Sequence, residues 1–206
     1  MRERVARGLR PPNEGGRKVT EAEIVKQLGP LAALAGVWEG DKGLDQSPDP
    51  ARQLMETPYR ERMVFEPMGP VDNHEQQLFA LRYATTAFRI GEEEGFHEEL
   101  GYWLWDGQDR QVMRCFLVPR GVTILAGGDA EPDARRFQIA AEVGSETYGI
   151  CSNRFLDREF KTVRYELEVT VQDDGSLHYA EDTQLQIKGQ GEIFHHRDEN
   201  TLKRVG

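Results

Sequence analysis

Cysteine is nearly absent from this chain. The two among 206 residues, Cys115 and Cys151, have no metal-ligand spacing, so neither a disulfide scaffold nor a thiolate metal site is in prospect and both read as structural thiols. No uninterrupted run of the ~18 apolar residues that a membrane-spanning helix requires is present. The first residues are charged where the apolar segment of a signal peptide would lie, so the expectation is a cytoplasmic protein without a membrane span. An excess of positive charge is missing too. A formal net charge of −10 sets aside general nucleic-acid binding, which depends on a basic surface to neutralise phosphates. Glycine-rich phosphate loops, a Ser-His-Asp order and CxxC pairs do not occur, which removes the enzyme classes they mark.

What charge there is lies unevenly. Residues 1–19 hold six basic side chains against Glu3 and Glu14, a balance of +4 that leaves −14 for the remainder. Its prolines and glycines leave little apolar surface to offset the entropy of ordering, so 1–19 reads as a disordered basic tail and 20–206 as one domain. Thr20-Glu21-Ala22-Glu23 matches a capping box and is followed by Ile24, Val25, Leu28, Leu31 and Ala32 at helical spacing. A short amphipathic helix is therefore expected to start near Thr20 and to end before Gly36.

Downstream the period changes to two. Val163, Tyr165, Leu167, Val169 and Val171 alternate with Arg164, Glu166, Glu168 and Thr170, and similar faces are formed by Tyr59, Met63 and Phe65 and by Leu177, Tyr179, Thr183, Leu185 and Ile187. Turn signals such as Asp106-Gly107, Asp174-Gly175 and Gly189-Gln190-Gly191 separate these runs. The pattern predicts about ten strands, near 36–41, 57–67, 76–88, 97–105, 111–118, 122–127, 135–142, 148–155, 162–172 and 177–188, with a further segment after Gly191. Closure into an antiparallel up-and-down β-barrel removes exposed edges and needs only short hairpins. Residues 41–56, rich in Asp, Pro, Gln and Ser, are then a loop at the barrel mouth. Glu181 shares parity with Tyr179 and Leu185, which turns its carboxyl inward unless a bulge rotates it out. Trp103 and Trp105 read first as core. His97 with Glu98 or Glu99 reads as a surface cross-strand pair rather than an acid/base pair.

Three segments, in order, resemble the nitrobindin family of haem-binding β-barrels, which are similar in shape to fatty-acid-binding proteins and other calycin or lipocalin-like folds. Gly36-Val37-Trp38-Glu39-Gly40-Asp41-Lys42-Gly43 is similar to the family's G-x-W-x-G-x-G signature with its last glycine displaced by one residue. His97-Glu98-Glu99-Leu100-Gly101-Tyr102 is similar to its H-x-E-x-G-Y strand. The segment from Phe194-His195-His196 to Thr201-Leu202-Lys203-Arg204 is similar to the one that carries the proximal haem histidine. Independently of the resemblance, the glycines permit close strand approach and Trp38 suits a plug at a barrel end. The resemblance implies a haem b whose iron is bound from the last strand by His196, with His195 in reserve because only one of two adjacent strand residues can enter the barrel. It implies that Asp198 or a backbone carbonyl accepts the ring's other proton, and that the reaction is peroxynitrite isomerisation to nitrate or nitric oxide binding. The chain departs from the family where Arg197 stands in place of a leucine after the histidine, and where Thr57-Pro58-Tyr59 stands for a tyrosine-proline-threonine run.

The residues by themselves leave other functions open. Both histidines also suit ordinary polar positions, the barrel suits a haem-free carrier of a small apolar molecule such as a fatty acid, and a side-chain-filled barrel suits an interaction module. A homodimer is compatible with all of them.

Overall fold

The computed structural model describes residues 19–206, so the segment 1–19 read as a basic tail lies outside the described residues except for Val19. The capping box at Thr20 forms in full and starts α1 (Glu21–Val25), which a 3-10 helix (Gly29–Leu34) follows. Eleven strands then close one barrel: β1 (Gly36–Pro48), β2 (Leu54–Asp72), β3 (Gln77–Arg89), β4 (Gly95–Asp106), β5 (Gln111–Val118), β6 (Val122–Asp129), β7 (Arg136–Val143), β8 (Gly149–Ser152), β9 (Phe160–Val171), β10 (Leu177–Ile187) and β11 (Phe194–Arg204). The period-two pattern thus gives the all-β, mostly antiparallel barrel it implies, with one apolar face turned to a common interior.

Several details differ from expectation. The segment after Gly191 is a full strand, β11, and it closes the barrel against β1. The expected mouth loop 41–56 shrinks to the turn 49–53, because β1 and β2 extend toward each other and pair from Leu44↔Pro58 to Pro48↔Leu54. Paired backbones tolerate polar residues on both faces at an open rim, so composition concealed these strand ends. The up-and-down order breaks once. β6 and β7 pair only at Gly127↔Ala140, and the four-residue β8 fills the gap between them, antiparallel to β6 and parallel to β7, so that the diverging edges keep hydrogen-bond partners. The strand expected to reach residue 155 stops at Ser152, where Asn153 caps α2 (Arg154–Glu159) by accepting from the Phe155 and Leu156 amides at 2.9 and 3.0 Å.

The displaced glycine of the first motif has a structural cause. Between Gly40 and Gly43, β1 carries one residue more than its partner β2, a bulge that absorbs the extra residue. Gly43 must lack a side chain there, since a Cβ would lie 2.5 Å from the Tyr59 ring.

One barrel end is sealed. Leu31 and Leu34 of the 3-10 helix pack on Trp38, Leu81 and Leu202, all buried, and the Trp38 indole donates to the Leu34 carbonyl at 2.7 Å under the Arg204 guanidinium at 4.8 Å. Trp38→Phe keeps most of the apolar body but orphans a buried carbonyl, an expected loss of about 1–3 kcal/mol. Trp38→Ala also opens a cavity, for about 3–5 kcal/mol. Chemical denaturation of the two variants checks this order.

Candidate functional site

The opposite end is open, and the barrel encloses a cavity of about 560 Å³. Its floor is apolar, formed by Leu34, Met63, Phe65, Trp103, Ile124 and Leu167 on the sealed end. Its mouth combines Phe96, Phe155 and Phe160 with Arg89 and Arg120. Between the two runs a belt of ionisable side chains that the inward parity of seven strands, β2–β5 and β9–β11, brings to one level.

Arg114 of β5 is the centre of this belt. It is 4% exposed, and each guanidinium nitrogen is engaged: Nε donates to the Tyr83 hydroxyl at 3.1 Å, Nη2 to Glu99, and Nη1 to both the Tyr165 hydroxyl and Glu181, the latter at 3.0 Å. Tyr165 donates to Glu181 at 2.6 Å and Tyr83 to Glu99 at 3.1 Å. Burial works to raise Glu99, but the Arg114 charge and the His97 contact win and hold its carboxyl below the ordinary range. Glu181 goes the other way, since burial outweighs the attraction of Arg114 and Glu99 repels it. Glu61 forms a second group. It accepts from Thr85 Oγ1 at 2.8 Å, Tyr179 at 2.8 Å and Asn200 at 3.3 Å, yet burial pushes its carboxyl up to about 7. Burial, with repulsion from Glu181, Glu61, Glu99 and Asp45, also lifts Asp198 well above its usual range.

The two histidines of the closing strand separate as neighbouring strand residues must. His196 lines the cavity, and its Nε2 lies 2.7 Å from Asp45 Oδ1. His195 points outward and lies 2.7 Å from Asp182 through Nδ1. The partner of the inward ring is thus Asp45 and not Asp198 or a backbone carbonyl, because the extension of β1 along β11 sets Asp45 beside it. The other Asp45 oxygen accepts from Ser47 Oγ at 2.7 Å, and although burial opposes it, the hydrogen bond and charge of His196 keep Asp45 below its ordinary value. Glu99 is not part of a surface pair either. It faces inward at 6% exposure, on the same side of β4 as Trp103 and Trp105, with His97 Nε2 3.4 Å from its Oε1. Burial alone would lower His97, but the bond and charge of Glu99 keep it above the usual imidazole value. Glu181 stays inward because β10 itself carries no bulge: its register with β11 is unbroken, and with β9 it shifts only beyond Gln184, where β9 holds the extra residue.

The family model for the THAP4-like, heme-binding beta-barrel domain matches residues 27–204. The chain belongs to that family. Among solved structures it is similar to Rv2717c from M. tuberculosis, at 19% identity over 89% of this chain and 98% of that one, with a TM-score of 0.61. The family resemblance read from the three motifs therefore holds. No curated protein matches the chain. Haem binding is accordingly a property of this chain's family, and the cavity's donor set fits the group: a porphyrin brings four nitrogens of its own, so one inward imidazole whose second nitrogen is held by a carboxylate is enough. No helix among the described residues is long and apolar enough to cross a membrane.

Sequence reading missed Asp45, Arg114 and Glu61. Glu61 lies on the very face of Tyr59 and Met63, so its parity was a usable signal. Raising its pKa from 4.5 to about 7 means that the folded protein holds a proton there that the unfolded chain releases, and stability falls as pH rises through that window. Between about pH 5 and about pH 8 the wild type is expected to lose on the order of 3 kcal/mol relative to Glu61→Gln. Denaturant midpoints of both proteins across that range measure the difference.

Proposed function

We propose that this barrel binds haem b through His196. The observation that carries the reading is the inward imidazole at the cavity wall, with Asp45 at 2.7 Å to hold the ring. Because Nε2 is given to Asp45, the ring offers Nδ1 to a metal, and the carboxylate raises the basicity of the imidazole as such partners do. Arg89 and Arg120 line the mouth and would hold carboxylate substituents of the bound group. Arg120 has no ion pair among the described residues, while Arg89 has an exposed contact to Glu92 at 3.5 Å and lies over the Phe96 ring at 4.8 Å. The apolar floor would take the ring edge opposite to them.

Ferric haem held in this way would supply a Lewis-acid centre for isomerising peroxynitrite to nitrate, or a binding position for nitric oxide. The chain's own part is to orient the ring, to exclude bulk water with the sealed floor, and to place proton-holding groups, Asp198 and His97, along the cavity wall. A carrier of fatty acids is the competing reading. It is supported by the cavity volume, but a carboxylate that entered deeply would find Arg114 already engaged at every nitrogen.

Titration of the protein with haemin distinguishes these readings. His196→Ala is expected to abolish the saturable Soret band and His195→Ala to leave it intact, while Asp45→Ala weakens binding about tenfold or more by freeing the ring. A band unaffected by His196→Ala would end the assignment.

A further inference from the structure

The belt holds more carboxyls than its single guanidinium can neutralise. Arg114 bridges Glu99 and Glu181, and no other arginine or lysine lines the cavity below its mouth. Glu61 has three neutral donors and no cation. Asp198 lines the cavity and accepts no hydrogen bond from any described residue, although it stands directly across from Glu181 in the β10–β11 register. Inward side chains at such a cross-strand position are close neighbours, and two carboxyls there repel unless a cation or a proton stands between them. Aromatic rings flank the same level: Tyr59, Phe116 and Tyr165 all line the cavity. An apolar cavity with a few convergent polar groups is the usual form of a small-molecule site, and here one of those groups, Asp198, has neither a hydrogen-bond donor nor an ion pair among the described residues, while His97 and His196 are engaged with Glu99 and Asp45.

We propose that the cavity accepts an apolar molecule bearing a protonated amine, with the ammonium seated between Asp198 and Glu181 and the apolar body on the aromatic wall and floor. An ammonium offers three donors. Asp198 has acceptor positions that no described residue uses, and Tyr59 adds a ring to the cavity wall that no guanidinium covers among the described residues. An alkyl carboxylate, by contrast, would bring a further negative charge to the belt. The inference does not depend on the haem reading. It concerns β10 and the middle of β11 rather than the imidazole, and its test uses the protein prepared without haem, so either can fail alone.

Three probes with the same chain separate the head groups: decylammonium, decanol and decanoate, each titrated into the full-length protein below its micellar concentration and followed by tryptophan fluorescence and calorimetry. Decylammonium is expected to bind about tenfold or more tightly than decanol, with decanoate weakest, since the measured coupling of close charge pairs in interfaces reaches that ratio and the carboxyls here are already desolvated by the fold. Asp198→Asn, nearly isosteric, should abolish most of the amine's advantage and leave decanol binding unchanged. Glu181→Gln serves the same purpose if the first variant folds poorly. Equal binding of amine and alcohol, tighter binding of decanoate, no saturable amine binding, or an amine preference that survives both substitutions would each overturn the proposal.

Discussion

The interior of this barrel depends on one guanidinium. A cavity lined by Glu61, Glu99, Glu181 and Asp198 would be prohibitively costly to desolvate if it held no compensating charge, because an isolated buried carboxylate sheds its ionised form rather than bear the loss of water. Arg114 ties two of the four, and does so with a planar fork that lysine could not reproduce. It also lies over the rings of Phe116 at 4.1 Å and Tyr83 at 5.0 Å, so the charge is held from the faces as well as the edges. Five strands meet at this residue through its partners, β3 by Tyr83, β4 by Glu99, β9 by Tyr165 and β10 by Glu181, with β5 supplying the arginine itself. The belt is as much a structural girdle as a lining.

A division of labour follows from that girdle. Below it, the 3-10 helix and Trp38 close the floor with apolar packing pinned by the indole's hydrogen bond to Leu34. Above it, the rim is joined by charges near its surface: the half-buried Glu159 of α2 contacts Arg52 in the β1–β2 turn at 3.0 Å and Lys188 after β10 at 3.1 Å. Three segments that are remote in sequence are thereby tied across the mouth. With arginine on either side of it, that carboxyl is held down to about 2, and such near-surface contacts weaken with salt while the buried belt does not.

Much of this was legible in the residues, and the rest was hidden for definable reasons. Alternation over β9 and β10 disclosed strands with one inward face, and the Thr20 capping box disclosed the helix start, because both signals are local. Trp38 as a plug and Glu181 as an inward carboxyl followed from motif and parity. Arg114 did not stand out because a charged residue inside a strand pattern reads as surface until its partners on four other strands are known. Asp45 was lost for a different reason. It sits in a stretch whose Asp, Ser, Gln and Pro content signals a loop, and only pairing with β2 and β11 makes it a strand residue beside His196. Family resemblance located the closing histidines, and strand parity required one to face inward, but the partner of that ring is a fact of tertiary register.

The barrel closes where β1 meets β11, with Trp38 opposite Arg204 and Asp45 opposite Asp198. Every side chain discussed at His196 thus comes from segments about 150 positions apart in the chain, with the remaining strands threaded between them. Contacts of such separation must await the closure of the longest loop in the molecule. No hairpin or partial sheet of this sequence contains the cavity in rudimentary form, in contrast to sites built within a single loop or helix pair. Possession of a ligand pocket is therefore an all-or-none attribute of this chain, acquired in the same event that makes the sheet a cylinder.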